Sequence, residues 1–192
     1  MSAITEIKRK YTQDEYLESE RKADFKSEYY KGEIVAMSGA SFHHNKIMVN
    51  FLTLLSLKLR GKNCSPYGSD LRVHIPANSL YTYPDISIVC GKEESIDKNF
   101  DTLLNPVFLA EILSPSTSDY DTSGKFALYR SIESLKEYWT ISSFEYRLQR
   151  FVQNDANNTW ILSETTNLSD SAQLESLSLT IALKELYEGV KF

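Results

Sequence analysis

Two acidic residues stand inside apolar segments. In YPDISIVC, an extended chain puts Asp85 on one face with Ser87 and Val89. In VFLAEILSP, Glu111 shares a face with Leu109 and Leu113. A carboxylate removed from water is costly unless it is hydrogen-bonded, paired or bound to a metal. If the two segments are neighbouring strands, Asp85 and Glu111 converge. Their repulsion raises one pKa unless a cation intervenes. A divalent metal uses both groups as hard oxygen ligands. The plainer alternative puts each acid at a strand end, against an arginine or a backbone N–H.

Lys125 follows Glu111 on the next helical segment, four residues before Tyr129 and on the same helix surface. A helix returning across the sheet brings its ammonium toward both acids, where it can orient water and offset charge on a phosphorane-like transition state. An exposed lysine whose stem covers core surface fits the spacing equally well. Glu28, in the aromatic stretch SEYYKGE, is either a third carboxylate of the site or a surface partner of a lysine. His44, in the first turn of a long helix, can touch phosphate or a metal-bound water; core packing or capping explains it as well. Asp70 in YGSD is accounted for by turn chemistry. Tyr129 reads as core.

The elements that must position these groups are legible from spacing. Thr12 and Glu15 form a capping box for a short helix. Lys31-Gly32 separates two extended pieces, roughly residues 25–30 and 33–38, into a hairpin. Ile47, Phe51, Leu54, Leu55 and Leu59 recur at helical spacing over 42–60, with Ser41 as N-cap and Gly61 as stop. CSPYGSDLRVHIP reads as one strand, and NSLYTYPDISIVC as a connection followed by another, with Pro84 at its start. The apolar run PVFLAEILS is a strand buried on both faces. A helix over about 119–132 follows. EYWTIS and EYRLQRFVQ are strands joined by a turn near Ser143, NNTWILSETT is a further strand, and a short helix spans about 181–187. This interleaving predicts an α/β (α+β) chain with a mixed sheet flanked by helices. The 192 residues are expected to form one domain, with an N-terminal helix and hairpin as an extension.

Composition narrows the function. Hydrophobic residues make up 42% and charged residues 24%, ordinary for a folded chain. No apolar run approaches the ~18 residues that cross a bilayer, and the first residues lack the apolar core of a leader. Cys64 and Cys90 are far apart without a CxxC partner. A zinc site is therefore not expected, a disulfide framework is excluded, and a reducing cytoplasm fits. The net charge of -5 weighs against nucleic-acid binding unless a local basic patch or metal ions offset it. GxGxxG, the P-loop pattern, GxSxG and the zinc-deaminase pattern are absent. Paired carboxylates also serve glycosidases, but no aromatic sugar platform stands out.

YPDISIVC, followed by FLAEILSPSTSDYDTSGKFALYRSIESLKEYWTIS, resembles the Uma family of restriction-endonuclease-like proteins within the PD-(D/E)xK nuclease superfamily. EYYKGEIVAMSGASFHHN, YGSDLRV and LKELYEGV extend the resemblance over most of the chain. It implies a restriction-endonuclease-like fold and a Mg2+- or Mn2+-dependent endonuclease acting on DNA as a homodimer. Asp85 of the Pro84-Asp85 motif and Glu111 become the metal ligands. The lysine slot two residues after Glu111 holds Leu113, and Lys125 on the next helix takes over that role. Glu28 and His44 fall on further motif positions as site members, and Asp70 on another. A nuclease-like scaffold that binds nucleic acid or a protein without cutting is the rival, favoured by the acidic balance and by Leu113.

Overall fold

The structure, a computed structural model, describes residues 9–192. The expectation of no leader falls partly on residues 1–8, outside the described ones. Helix α1 (Gln13–Glu20) starts at the expected capping box: the Glu15 N–H donates to Thr12 Oγ1 at 3.2 Å, and the Thr12 N–H donates to Glu15 Oε2 at 2.8 Å. Strands β1 (Ser27–Tyr30) and β2 (Glu33–Ala36) form the hairpin. Lys31 and Gly32 both have positive φ, as a two-residue type I′ connection requires. Helix α2 (Phe42–Lys58) begins at Ser41, whose Oγ accepts from the His44 N–H at 3.2 Å.

The stretch expected to be one strand is two: β3 (Cys64–Gly68) and β4 (Arg72–Ile75) belong to different sheets. The Ser69-Asp70 turn separates them, closed by the Leu71 N–H on the Gly68 carbonyl at 3.2 Å. Arg72 and His74 on β4 are buried. Strand β5 (Leu80–Thr82) lies inside the expected connection, ahead of β6 (Ile86–Cys90). After β7 (Thr102–Leu103) comes β8 (Phe108–Leu113), buried at every position as expected. A π-helical turn, Tyr120–Lys125, leads into helix α3 (Phe126–Tyr129), so the helix ends sooner than its apolar spacing suggested. Strands β9 (Glu137–Ser142), β10 (Leu148–Asn154) and β11 (Thr159–Thr165) follow. A further hairpin, β12 (Ser171–Leu174) with β13 (Leu179–Ala182), precedes helix α4 (Leu183–Leu186). Ile181 therefore sits in a strand and not in the closing helix.

The fold is a mixed α+β architecture with sheets flanked by helices. The largest sheet has the order β11-β10-β9-β8-β6-β3, the second has the order β2-β1-β5-β4-β7, and β12-β13 form a separate two-stranded sheet. In the first, β8 and β9 are parallel and the remaining pairs antiparallel. Parallel neighbours need a crossover connection. Here it is the segment containing α3, which must pack back onto the strand it leaves. One face of the sheet (Ile86, Ile88, Phe108, Ala110, Ile112, Trp139) packs with Ile47, Phe51 and Leu55 of α2. The opposite face (Val89, Leu109, Tyr138) meets Val73, Ile75 and Leu80 of the second sheet and Tyr129 of α3. The alternation therefore sends Asp85 and Glu111 toward the space between the sheets.

The cysteines do not stay apart. The antiparallel register of β3 and β6 places Cys64 opposite Cys90, and the two form a disulfide. The sequence expectation is corrected here, because 26 residues of separation vanish when two strands pair.

Candidate active site

Ile86 lies opposite Ala110 in the β6–β8 ladder, and one further step of that register puts Asp85 across from Glu111. Asp85 sits just before β6, at the rim of the sheet. Its Oδ2 accepts the Ile112 N–H at 2.7 Å and lies 3.1 Å from His44 Nε2, brought by the first turn of α2. Glu111 is almost wholly buried on β8. Its Oε1 accepts from the Tyr129 hydroxyl at 2.6 Å and from Lys125 Nζ at 3.1 Å.

Lys125 reaches Glu111 because the crossover helix returns along β8. Its ammonium also lies 3.0 Å from Glu28 Oε1 and 3.5 Å from Asp121 Oδ1. Glu28 comes from the second sheet: Ser27 and Tyr29 are buried on one face of β1, so Glu28 points the other way, where it also accepts from Thr82 Oγ1. Asp121 was not singled out from the sequence; its spacing of four from Lys125 was the available signal. Tyr129 is both core and a donor to the site.

Glu28, His44, Asp85, Glu111, Asp121 and Lys125 line one cleft of about 600 Å³, with Tyr83, Tyr120, Lys26 and the loop before α2 on its walls. Asp70 is outside it, fully exposed and 3.1 Å from Lys26 Nζ. Burial pushes the Glu111 carboxyl up, Lys125 opposes that rise, and the nearby Asp85 and Asp121 add to it. Burial works against the Lys125 ammonium, yet Glu111, Glu28 and Asp121 together hold its pKa well above the ordinary value. Lys125 is thus a charged group at any physiological pH. Burial likewise raises Asp121.

Among the described residues, four carboxylates (Glu28, Asp85, Glu111, Asp121) line the cleft; three of them contact the Lys125 ammonium, and Asp85 lies against His44. Asp85 Oδ1 and Glu111 Oε2 accept no hydrogen bond from the described residues, and neither is sealed from solvent. Two hard oxygens on one cleft, in a cluster short of positive charge, suit a cation that keeps most of its water, as Mg2+ does. Among the described residues no group of three or more His, Cys, Asp or Glu is arranged to hold a metal, so a closed site of the structural-zinc kind is not formed.

A family model described as "Putative restriction endonuclease", Uma2, matches residues 13–184. The chain belongs to the Uma2 family. Two Synechocystis relatives agree in extent. Protein slr1290 is 36% identical over 183 residues, covering 95% of this chain and 94% of its own. Protein sll1609 is 34% identical over 164 residues, covering 85% and 91%. A crystal structure from Anabaena variabilis, described as a "putative nuclease" belonging to DUF820, superposes with a TM-score of 0.74 at 19% identity, over 92% of this chain and 97% of that one. That likeness carries the fold. Membership of Uma2 supports a nuclease-like function.

Proposed function

We propose that this Uma2 chain is a metal-dependent endonuclease that hydrolyses DNA phosphodiester bonds. One observation carries the reading: Asp85 and Glu111 line the same cleft, each with one oxygen that accepts no hydrogen bond from the described residues, and the Lys125 ammonium is 3.1 Å from Glu111. Asp85 and Glu111 would hold Mg2+ or Mn2+, which when bound lowers the pKa of water and offsets charge on the phosphate. His44 and the Ile112 N–H fix the orientation of Asp85. Tyr129 and Lys125 fix Glu111 from the other side. Because Lys125 stays protonated, its part is to offset developing negative charge and not to take a proton. Glu28 and Asp121 hold that ammonium in place.

A plasmid-nicking assay with Mg2+ or Mn2+ tests the proposal, with Asp85→Ala run beside the wild type. Nicking by the wild type alone is the expected result. Nicking by both proteins identifies a contaminant. No cleavage of any substrate favours the rival, a scaffold that binds without cutting, for which Leu113 in the usual lysine slot and the net charge of -5 speak.

The reading includes a homodimer, since two clefts related by C2 symmetry cut both strands of a duplex. The exposed edge strand β11, with Ile161 and Leu162 each about half exposed, suits such an association. Sedimentation velocity decides it; a monomer that only nicks would end this part. The reading includes cytoplasmic action, which rests on unpaired cysteines, and the Cys64–Cys90 bond argues against a reducing compartment. Thiol trapping in freshly lysed cells separates the two. No helix among the described residues is long and apolar enough to cross a membrane.

A further inference from the structure

A cleft with four carboxylates repels a phosphate backbone, so its positive groups decide whether DNA can enter. Among the described residues, the lysines that line it are Lys26 and Lys125, and no arginine does. Lys125 is almost wholly buried and its ammonium is shared among three acids. Lys26 differs. Its side chain is about one third exposed, its ammonium donates to the Ser69 carbonyl at 2.7 Å, and it lies 5.5 Å from the centre of the Tyr83 ring.

That ring is itself fixed: Arg72 Nη1 donates to the Tyr83 hydroxyl at 3.0 Å, and the hydroxyl donates to Glu20 Oε1 at 2.9 Å. Tyr83 stands two residues before Asp85; Lys26, Tyr83, Asp85 and Glu111 line the same cleft, and Lys26 makes no ion pair with either acid. The charged partner of Lys26 is Asp70, 3.1 Å away and 99% exposed. An ion pair in that much water is weak and easily exchanged. The arrangement is a pre-oriented ammonium on the cleft wall, with a readily displaced carboxylate on its outer side.

We propose that Lys26 is the phosphate anchor of this cleft: it positions a DNA phosphate neighbouring the scissile one, and Asp70 is the group that this phosphate displaces. The inference rests on the nuclease reading and gives a role to Asp70 that turn chemistry alone did not. Lys26 is a positioning residue here, since it touches a neighbouring phosphate and not the reacting atoms.

Fluorescence anisotropy of a labelled duplex, titrated with Ca2+ in place of Mg2+ over a range of KCl concentrations, tests it. A gel at the end of each titration verifies that the probe is intact. Lys26→Gln should weaken binding about tenfold and reduce the slope of log affinity against log salt by about one. Lys26→Arg should restore both, and Asp70→Asn should tighten binding about threefold by removing the competitor. Lys136 pairs with the exposed Asp155 at 2.8 Å and does not line the cleft, so Lys136→Gln controls for general loss of charge and should change little. Equal effects of Lys26→Gln and Lys136→Gln would overturn the anchor. So would Asp70→Asn binding no more tightly than the wild type. If the wild type nicks plasmid while Lys26→Gln keeps its salt slope, the anchor fails and the hydrolase reading stands. A wild type that binds no duplex overturns the anchor outright, and nicking then judges the hydrolase reading by itself.

Discussion

Glu111 carries the cost of this site. Burial makes its charged form expensive, and its carboxyl holds a proton above the ordinary 4.5. Between 4.5 and that raised value the folded chain binds more protons than the unfolded one. Stability from this residue is thus full below 4.5 and declines as the pH rises. Glu111→Gln removes the titration. In metal-free urea unfolding, the stability of the variant relative to wild type should grow from pH 5 to pH 8, while nicking is lost. A difference that stays flat with pH would show that Glu111 ionises freely. Lys125 has the opposite balance. Lys125→Met strips the counter-charge from three acids, and breaking a buried pair of this kind costs about 3 kcal/mol. Its turnover should fall further than its Mg2+ affinity, whereas Asp85→Ala should lose affinity foremost. Calorimetry showing equal loss of affinity in both variants would refute that division.

At the scale of elements, the crossover between β8 and β9 does most to assemble the site. A parallel pair forces the intervening chain back across the sheet, which is why a lysine 14 residues from Glu111 ends beside it. The π-helical turn Tyr120–Lys125 places Asp121 and Lys125 together on the inner side. Tyr120 lies across Gly124, where an added Cβ would stand 2.6 Å from the ring. Gly→Ala inside a helix ordinarily gains about 1 kcal/mol. Gly124→Ala should show no such gain in thermal unfolding, because the Tyr120 ring must swing aside. With Tyr120→Ala alongside, the gain should appear. A single variant that is already stabilised would mean the ring moves at no cost.

At the scale of the whole molecule, the two larger sheets share a core, and the cleft is lined by residues of both. The Cys64–Cys90 bond joins the edge strand β3 to β6, the strand that Asp85 introduces. Closing a loop of 26 residues restricts the unfolded chain by about 3 kcal/mol. The Cys64→Ser/Cys90→Ser protein should therefore unfold at lower temperature than the oxidised wild type and match the wild type in reductant. Identical melting in all three would mean that the ladder alone holds the edge.

Local spacing was enough for the capping box at Thr12, the turn at Lys31-Gly32, the long helix from Ser41, the doubly buried strand around Glu111 and the shared face of Asp85 with Ser87. Each depends on near neighbours, whose chemistry the sequence states directly. The split of residues 64–75 between two sheets, the burial of Arg72, the pairing of Cys64 with Cys90, the place of Asp121 and the setting of the Lys26 ammonium depend on partners many residues away. Register and crossover direction choose those partners. They are settled by how whole faces pack, so a one-dimensional pattern leaves them open and the tertiary structure decides them.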